Sequence, residues 1–371
     1  MLKVLVLDTV MDRGGAEAMI MNYMRNINRD EISFDFLTNR DYKAAYEDEI
    51  ASLGGKVFHM SPQLPGHFRA YKKEMDEFLT NHPEYQIIHS NLEERSYLPL
   101  KAARKHGVKV RISHAHNRPI GFDIKMLVRY YFRARLKGVV THMFACGKEA
   151  GQWLYGKKET GITYMKNAID AEAYAYDEAK AANMKKQLGV EDKIVLGHVG
   201  RFFAQKNHEF LIDIFKAIHD ANDKALLLLV GGGELDDSLK NHIKQKVKDL
   251  GLENCVQFLG VREDVADILQ AFDMFLLPSL FEGLPVTMVE AQSAGLPCVI
   301  SDKVPPECDI TGNVKVVSLD DSPEHWAEVV LEYVSSFERG STTELIRKAG
   351  FDIKENARWL EDFYKKSLEE R

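Results

Sequence analysis

Residues 194–212 read IVLGHVGRFFAQKNHEFLI, and this stretch contains the features that decide the fold. An apolar run is followed by a turn beginning at Gly200, and then by apolar residues that recur with helical spacing. This strand–loop–helix order is the unit of a parallel α/β sheet. Arg201 and Lys206 follow the apolar run directly, where a phosphate-binding loop belongs, and Arg and Lys are the side chains that bind phosphate. A surface charge is the commoner explanation for any one lysine, but the coincidence with a strand end and a helix start favours a phosphate site.

The same alternation of short apolar runs and amphipathic segments extends in both directions along the chain. On the N-terminal side, the runs predict strands at 3–8, 33–38, 56–60, 86–90, 109–113 and 142–147. On the C-terminal side, they predict strands at 194–200, 225–233, 255–260, 273–278 and 297–301. A charged, alanine-rich stretch at 177–189 separates the two series, and the C-terminal tail has only helical patterns. The sequence therefore predicts two doubly wound α/β domains joined near 165–175, with ligands bound at the carboxyl ends of their strands.

Composition excludes several classes of protein. The chain has 371 residues and a net charge of −7, which argues against general nucleic-acid binding. Its four cysteines are scattered without zinc-ligand spacing. The apolar N-terminal run is too short for a signal peptide, and no segment reaches about 18 apolar residues. We therefore expect a cytoplasmic protein.

A second motif, LFEGLPVTMVEAQSAGLP at 280–297, carries two glutamates in an apolar setting. The pattern predicts that Glu282 lies in the loop before a helix, that Pro285 lies in its first turn, and that Glu290 lies further inside it. Buried carboxylates are unfavourable unless something pairs with them. The backbone amides at the helix start are a natural phosphate site, and the residues concerned are Gly283, Leu284, Pro285 and Val286. The alternative is that Glu282 only favours the helix dipole and that Glu290 is merely half-exposed.

Two motifs in the first half mark further candidates. Gly14 and Gly15 follow the first predicted strand, where they would let the backbone approach a ligand or simply form a tight turn. His114 and His116, in RISHAHNRP (111–119), come at the end of another strand and share one face of it. They are candidates for a ligand site, although a structural role remains open for at least one of the two.

A helix predicted around 125–138 carries a basic stripe. Its cationic residues recur every four positions among aromatic neighbours, and they are Lys125, Arg129, Arg133 and Lys137. In an acidic protein this stripe is a candidate contact for anionic lipid or for a lipid-pyrophosphate substrate, and a solvated helix face is the alternative.

Together these motifs resemble the retaining GT-B glycosyltransferases of family 4, the group 1 glycosyltransferases. The resemblance covers nearly the whole chain and rests on GGAE (14–17), VGR…QKNHEFLI (199–212), LVGGGE (229–234), FLG…EDV (258–265) and EGLPVTMVEAQSAGLP (282–297). RISHAHN and GRFFAQKNH are most similar to members from bacterial exopolysaccharide and capsule gene clusters. The resemblance implies two Rossmann-like domains facing a central cleft. The acceptor domain would comprise 1–168 with a C-terminal helix at about 353–371 packed back on it, and the donor domain would comprise 169–352.

The resemblance also implies roles for matching residues around the donor. Arg201 and Lys206, next to Gly200, would hold the donor diphosphate. Glu282 would contact hydroxyls of the donor sugar, with the amides of 283–286 nearby, and Glu290 would bind the ribose hydroxyls.

The remaining roles concern the base and the other domain. The main chain around Val261 and Arg262 would meet the base, and Gly14 and Gly15 would close over the donor. His114 matches the family's cleft histidine near the donor sugar, with the second histidine of its motif as the alternative.

The implied reaction is transfer of a hexose or acetamidohexose, with retention, from a nucleoside diphosphate sugar such as a UDP-sugar. The acceptor would be a glycan or a lipid-pyrophosphate-linked sugar, at the inner face of the plasma membrane if the basic stripe binds lipid. Fixed cations would replace a metal, since no Asp-x-Asp stands in a suitable loop, and no cofactor is expected. The alternatives are an epimerase or a phosphorylase of the same fold, or a two-domain sugar-binding protein without catalysis.

Overall fold

The structure is a computed structural model that describes residues 1–12, 14–64, 66–116, 126–233 and 237–370. The chain divides into two compact units. The first unit comprises Met1–Ala168 and Ile353–Arg371, and the second comprises Ile169–Asp352.

The first unit alternates strands and helices from its first residues. In chain order its elements are β1 (Leu2–Asp8), α1 (Gly15–Asn26), β2 (Ile32–Thr38), α2 (Glu47–Ser52), β3 (Val57–His59), α3 (Phe68–Asn81), β4 (Ile87–Ser90), α4 (Tyr97–Lys105), β5 (Val110–Ala115), α5 (Met126–Leu136), β6 (His142–Ala145), α6 (Lys148–Tyr155) and β7 (Ile162–Tyr164). The described strands form one parallel sheet in the order β3-β2-β1-β4-β5-β6-β7. Consecutive connections run outward on both sides of β1, so the sheet has a topological switch point between β1 and β4.

The second unit repeats this plan. Its elements are α7 (Ala171–Tyr174), α8 (Glu178–Leu188), β8 (Ile194–Val199), α9 (His208–Ala221), β9 (Ala225–Val230), α10 (Ser238–Asp249), β10 (Val256–Gly260), α11 (Val265–Ala271), β11 (Met274–Leu277), α12 (Val286–Ser293), β12 (Cys298–Ser301), β13 (Val314–Val317), α13 (Pro323–Ser336) and α14 (Thr343–Lys348). The described strands form a parallel sheet in the order β10-β9-β8-β11-β12-β13. Its switch point lies between β8 and β11.

Side-chain alternation along the central strands explains why helices cover both faces of each sheet. In β1, Val4 and Val6 belong to one buried cluster, whereas Leu5 and Leu7 belong to another. Because successive strand residues point to opposite faces, a strand that is apolar throughout needs cover on both sides. The same division occurs in β9 of the second unit.

The C-terminal helix α15 (Ile353–Glu369) packs in the first unit. Ile353, Ala357, Leu360 and Tyr364 recur at helical spacing and are buried in the same cluster as residues of α1. In addition, the backbone N–H of Asn28 donates to Glu361 Oε1 at 2.6 Å. The expectation that the last helix packs on the N-terminal part of the chain is confirmed.

The sequence prediction omits two strands, β7 and β13. Both are short and lie at the outer edge of their sheets. An edge strand pairs on one side only and leaves side chains in solvent, as Tyr164 and Val316 are here. These strands therefore lack the continuous apolar runs by which the central strands were recognised.

Candidate active site

The site in the second unit is built from the loops that follow β8, β9 and β11. The loop after β8 is joined to the loop after β11 where the Leu280 N–H donates to the Gln205 carbonyl at 2.8 Å. The loops after β8 and β9 also approach each other closely. A Cβ added to Gly231, after β9, would lie only 2.0 Å from the carbonyl oxygen of Gly200, after β8. Gly231 also has a φ of +147°, a backbone conformation that L side chains rarely adopt. Three loops therefore meet at the switch point of the sheet, two of them joined by a backbone hydrogen bond and two brought close by Gly231.

Lys206 and Glu282 form an ion pair at this point. The Lys206 ammonium lies 2.7 Å from Glu282 Oε1, and both side chains are largely buried. Glu282 Oε1 also accepts from the Ser279 hydroxyl at 2.7 Å, and Oε2 accepts from the Gln205 amide at 3.0 Å. The structure thus brings together the predicted phosphate-binding lysine and the predicted sugar-binding glutamate.

The helix start next to Glu282 is open. No described side chain caps α12, whose first N–H groups have no partner within the helix. Around Gly283 a Cβ would meet no atom within 4 Å, and the Thr287 hydroxyl is buried without a hydrogen-bond partner among the described residues. Pro285 occupies the N-cap and not the first turn, one position earlier than predicted, and Val286 is the first helical residue.

Two further cations lie near these loops. Arg201 is exposed, stacks on the Phe203 ring at 4.4 Å, and has no acidic partner in the described part of the chain. Arg262, after β10, is instead held by both oxygens of Asp264 at 2.6 and 2.8 Å, and its neighbour Val261 is 67% exposed. The Arg201 side chain is therefore available for a ligand. The Arg262 side chain is already bound to Asp264, so mainly the backbone at this position is available for a ligand.

Two buried histidines lie beneath the loop after β8. The His198 ring donates from Nδ1 to the Leu276 carbonyl at 2.8 Å, and it lies 4.8 Å from the ring of His208. Burial holds the pKa of His198 well below its usual value and, together with the Lys206 cation, lowers the pKa of His208 to about 4. Neither histidine therefore adds positive charge near neutral pH to that of Lys206 and Arg201.

Glu290 lies inside α12, as predicted, and has one partner that the sequence did not suggest. The Tyr174 hydroxyl, at the end of α7, donates to Glu290 Oε1 at 3.0 Å. Burial raises the pKa of Glu290 to about 7, while the hydrogen bond from Tyr174 acts in the opposite direction. At neutral pH this carboxyl is poised between its two protonation states.

The equivalent switch point of the first unit has a different chemistry. Asp8, at the end of β1, is buried, and burial together with the nearby Glu17 raises its pKa to about 8. The start of α1 is covered by its own third residue, since a Cβ added to Gly14 would lie 2.2 Å from Glu17 Oε2. Space for a Cβ is open at Gly15. The glycines predicted to approach a ligand thus stand beside an acidic group.

A chain of buried polar groups crosses the same unit. His114 lies within β5, which extends beyond the predicted strand, and its Nδ1 is 3.1 Å from His89 Nε2. His89 Nδ1 is in turn 2.7 Å from the Tyr364 hydroxyl. The His116 ring stacks 4.1 Å from that of His114 and bonds to Asn91 Oδ1 at 3.1 Å. Both predicted histidines therefore share one face, as expected.

Known proteins resemble this chain in sequence. The family described as "Glycosyl transferases group 1" matches residues 193–336, which contain the loops after β8 and β11. The Bacillus subtilis (strain 168) protein EpsF, named as a glycosyltransferase, is 32% identical over 369 residues, covering 97% of this chain and 95% of EpsF. This chain belongs to the group 1 glycosyltransferases. The Staphylococcus aureus capsular polysaccharide biosynthesis glycosyltransferase CapH is 24% identical over 339 residues, covering 90% of this chain and 91% of CapH.

A solved structure matches the fold over its full length. Anabaena HepE, crystallised in complex with UDP, superposes with a TM-score of 0.79 at 20% identity, covering 98% of this chain and 100% of HepE. The same protein has been crystallised with UDP-glucose. The predicted fold class, GT-B with two Rossmann-like domains, is confirmed.

The basic stripe of this glycosyltransferase is largely engaged within its own unit. Arg129 lies 3.5 Å from Glu94, Arg133 donates to the Leu154 carbonyl at 3.3 Å, and Lys137 pairs with Glu159 at 2.5 Å. Lys125 lies outside the described residues. α5 also exposes a group of apolar and aromatic side chains, together with Arg135, whose guanidinium lies 3.9 Å from the centre of the Tyr131 ring; the apolar and aromatic residues are Leu127, Val128, Tyr130 and Tyr131.

Two features are absent from the described residues. No helix among them is both long enough and apolar enough to span a bilayer. No three His, Cys, Asp or Glu side chains within the described ranges lie where they could share a metal ion.

Sequence reasoning on this glycosyltransferase missed the partners of its candidate residues. Gln205 and Ser279 stand beside recognised motifs, and their polarity next to a strand end was a usable signal. Tyr174 and Tyr364 gave no such signal, because their partners are distant in sequence. Tyr174 bonds to Glu290, 116 residues away, and Tyr364 bonds to His89, 275 residues away.

Proposed function

We propose that this glycosyltransferase moves a hexosyl or acetamidohexosyl group from a nucleoside diphosphate sugar, with UDP as the preferred nucleotide, and with retention of anomeric configuration. The observation that carries the proposal is the pairing of Lys206 with Glu282 beside the open start of α12. A cation, an acceptor of hydroxyl hydrogen bonds and free amides at one switch point match the parts of a sugar diphosphate. UDP in the HepE crystals agrees with this choice of nucleotide.

Spare hydrogen-bonding capacity supports the assignment of the two charged groups. An ammonium has three N–H donors, and Lys206 uses one on Glu282, so it retains donors for phosphate oxygens. A carboxylate has about four acceptor positions. Glu282 uses three, on Lys206, Ser279 and Gln205, and one remains for a sugar hydroxyl. Donor binding therefore does not require the ion pair to break.

The other donor contacts follow from position and accessibility. Arg201 and the backbone N–H groups of Gly283, Leu284 and Val286 would bind the diphosphate, and Glu290 would accept from the ribose hydroxyls. Pro285 has no N–H to donate. The exposed backbone at Val261 and Arg262 would meet the base.

Two roles are proposed for the first unit. Gly14 and Gly15 would approach the donor through their backbone, and His114 would contact the donor sugar. His114 is favoured over His116 because His116 already bonds to Asn91, while His114 Nε2 has no partner in the described part of the chain.

For the chemical step we propose attack on the same face as the leaving diphosphate, whose own oxygen helps to deprotonate the acceptor. Lys206, Arg201 and the start of α12 would stabilise the charge that develops on the diphosphate, as preorganised cations and dipoles do. These groups would take the place of a divalent cation. Turnover measured with and without EDTA checks this, and loss of activity in EDTA would contradict it.

The acceptor we propose is a glycan or lipid-linked sugar in the synthesis of a cell-surface or exported polysaccharide. The similarity to CapH supports this pathway class. A peripheral membrane contact would use the exposed apolar and aromatic face of α5 in preference to its engaged cations. Co-sedimentation with anionic vesicles checks the contact, and Leu127→Asp would abolish it.

The experiment that tests the function is UDP release from a panel of UDP-sugars in the presence of glycan and lipid-linked acceptors. Acceptor-dependent UDP release is expected with at least one donor. A change of the donor sugar without UDP release would favour an epimerase, and phosphate-dependent formation of a sugar phosphate would favour a phosphorylase. Binding without any turnover would leave a sugar-binding protein as the function.

A further inference from the structure

The hydrogen-bonded series Tyr364–His89–His114 ends at one unpaired ring nitrogen. Tyr364, His89 and His114 are each completely buried, and Tyr364 comes from α15 while the histidines lie on adjacent strands. Their hydrogen bonds measure 2.7 Å from Tyr364 to His89 and 3.1 Å from His89 to His114. His114 Nε2 is buried and has no hydrogen-bond partner among the described residues. This nitrogen is therefore the unpaired end of the hydrogen-bonded series.

The surroundings keep both imidazoles neutral. Phe144 packs edge-on against both rings, and Phe34 packs edge-on against Tyr364. Burial lowers the pKa of His89 to about 3 and holds the pKa of His114 well below its usual value. A neutral imidazole carries one proton on one nitrogen, so each histidine must adopt one of two tautomers.

Two arrangements of the protons satisfy both hydrogen bonds. In the first, the Tyr364 hydroxyl donates to His89 Nδ1, His89 Nε2–H donates to His114 Nδ1, and His114 carries its proton on Nε2. In the second, every donor is reversed: His114 Nδ1–H donates to His89, and His89 donates to the tyrosine oxygen. The second arrangement leaves the buried Tyr364 O–H without an acceptor among the described residues. It also leaves the buried His114 Nε2 lone pair without a donor, so two groups are unsatisfied, whereas the first arrangement leaves only the His114 Nε2–H without a partner in the described part of the chain. Because each unsatisfied buried polar group is unfavourable, the first arrangement is the more stable one.

We propose that Tyr364 and His89 are positioning residues that fix His114 as the Nε2–H tautomer, so that His114 acts as a hydrogen-bond donor to the substrate and not as a base. The part that concerns substrate rests on the proposed function. The tautomer itself does not, because it follows from the hydrogen bonds of the ligand-free protein. The C-terminal helix thereby has a chemical role in addition to its packing.

The test uses Tyr364→Phe, which removes the hydroxyl and keeps the ring that packs in the core. The matched control is Tyr23→Phe, since Tyr23 is also fully buried in the same cluster and its hydroxyl donates to the Lys166 carbonyl at 3.0 Å and not to a histidine. The full-length protein is labelled with ¹⁵N-histidine, and the ring nitrogens are observed by long-range ¹H–¹⁵N correlation without ligand. His89→Gln and His114→Gln assign the two signals.

In the wild type and in Tyr23→Phe we expect both rings to be protonated at Nε2. In Tyr364→Phe we expect this preference to be lost at both rings, with an unchanged melting temperature relative to the control. Turnover of Tyr364→Phe should fall by about fivefold to tenfold, as for one lost hydrogen bond, with the KM for donor unchanged.

The outcomes separate this inference from the proposed function. An Nδ1 proton on His114 in the wild type, or an unaltered spectrum in Tyr364→Phe, overturns it whether or not any turnover is found. A shifted tautomer with the turnover of the control overturns the role toward substrate. If the wild-type protein released no UDP with any donor, the proposed function would fail while the spectra would still decide the tautomer.

Discussion

The two switch points of this molecule share one topology and differ in charge. Each lies between the first and fourth strands of its sheet. In the second unit the adjoining loops carry Lys206, Arg201 and an uncapped helix start. In the first unit, Asp8, His89 and His114 are buried and His116 is half-buried, all in largely neutral form, and Glu17 covers the start of α1.

This difference teaches that the fold supplies the place and the side chains supply the chemistry. A parallel sheet brings loops and helix starts together at its switch point in both units. The second switch point carries two cations for a diphosphate, Arg201 and Lys206, of which Lys206 is paired with Glu282. The first switch point has hydrogen-bond donors and acceptors that carry little charge, and such groups suit contact with a neutral sugar.

The largest expected effect is that of Lys206→Ala. It removes the buried cation and leaves Glu282 without its ion-pair partner, so we expect kcat/KM to fall roughly 10²–10³-fold. Steady-state kinetics with the best donor measures this. The control is Lys216→Ala on α9, where the lysine pairs with Asp220 at the surface. If kcat/KM were the same for Lys206→Ala and Lys216→Ala, the cation at the second switch point would have no special role, and the proposed difference between the two switch points would be contradicted.

Glu282→Gln should separate chemistry from nucleotide binding. We expect kcat to fall about 10²-fold, because a group that binds the reacting sugar contributes in the transition state. The affinity for UDP should be unchanged or tighter, because Lys206 loses a competing anion. Turnover and calorimetric binding of UDP are the two measurements. Weaker UDP binding with unchanged kcat would reverse the roles proposed for the two residues.

The affinity for UDP should fall as pH drops below 7. The pKa of Glu290 is about 7 without ligand, and ribose hydroxyls that donate to its ionised form would lower that pKa in the complex. Binding therefore releases a proton, and we expect the affinity to fall roughly fivefold to tenfold between pH 7.5 and 6. Because the phosphate of UDP also titrates near pH 6, the quantity to compare is the difference from Glu290→Gln. Identical pH profiles for the two proteins would exclude Glu290 from the ribose site.

The smallest effect concerns stability. The folded-state pKa of Glu290 is above its usual value, so the folded protein binds this proton more tightly than the unfolded chain does. The stability contributed by that proton is complete below about pH 4.5 and is lost as pH rises through 7. Glu290→Gln should therefore match the wild type at pH 4 and be more stable by about 1–2 kcal/mol at pH 8, after allowance for partial exposure. Thermal melts at the two pH values measure this. If the stability difference between Glu290→Gln and the wild type were the same at pH 4 and pH 8, the raised pKa of Glu290 in the folded protein would be contradicted.

The sequence was sufficient for the parts of the molecule that depend on local pattern. Apolar runs such as 225–230 identify central strands because both of their faces are buried. The loop position of Glu282 and the helical position of Glu290 follow from Pro285 and the periodicity after it. The motif after β8 likewise placed Lys206 at a strand end.

Contacts between distant segments could not be predicted in this way. The Lys206–Glu282 pair joins residues 76 apart, and nothing local to either one specifies the other. The partners of the basic stripe also lie elsewhere in the chain, so a row of apparently free cations proved to be engaged. Local pattern gives the direction of a side chain on its own element, whereas its partner depends on how elements pack.

The most direct test of the central claim compares one cation from each switch point. Arg95, in the first unit, follows β4 at the first switch point and donates to the Thr9 hydroxyl at 3.0 Å. Calorimetric titration with UDP should show Lys206→Ala weakened roughly tenfold to hundredfold, as expected for a lost charge-assisted bond to phosphate. Arg95→Ala should bind UDP as the wild type does. Full affinity in Lys206→Ala, or an equal loss in Arg95→Ala, would contradict the assignment of the diphosphate to the second unit.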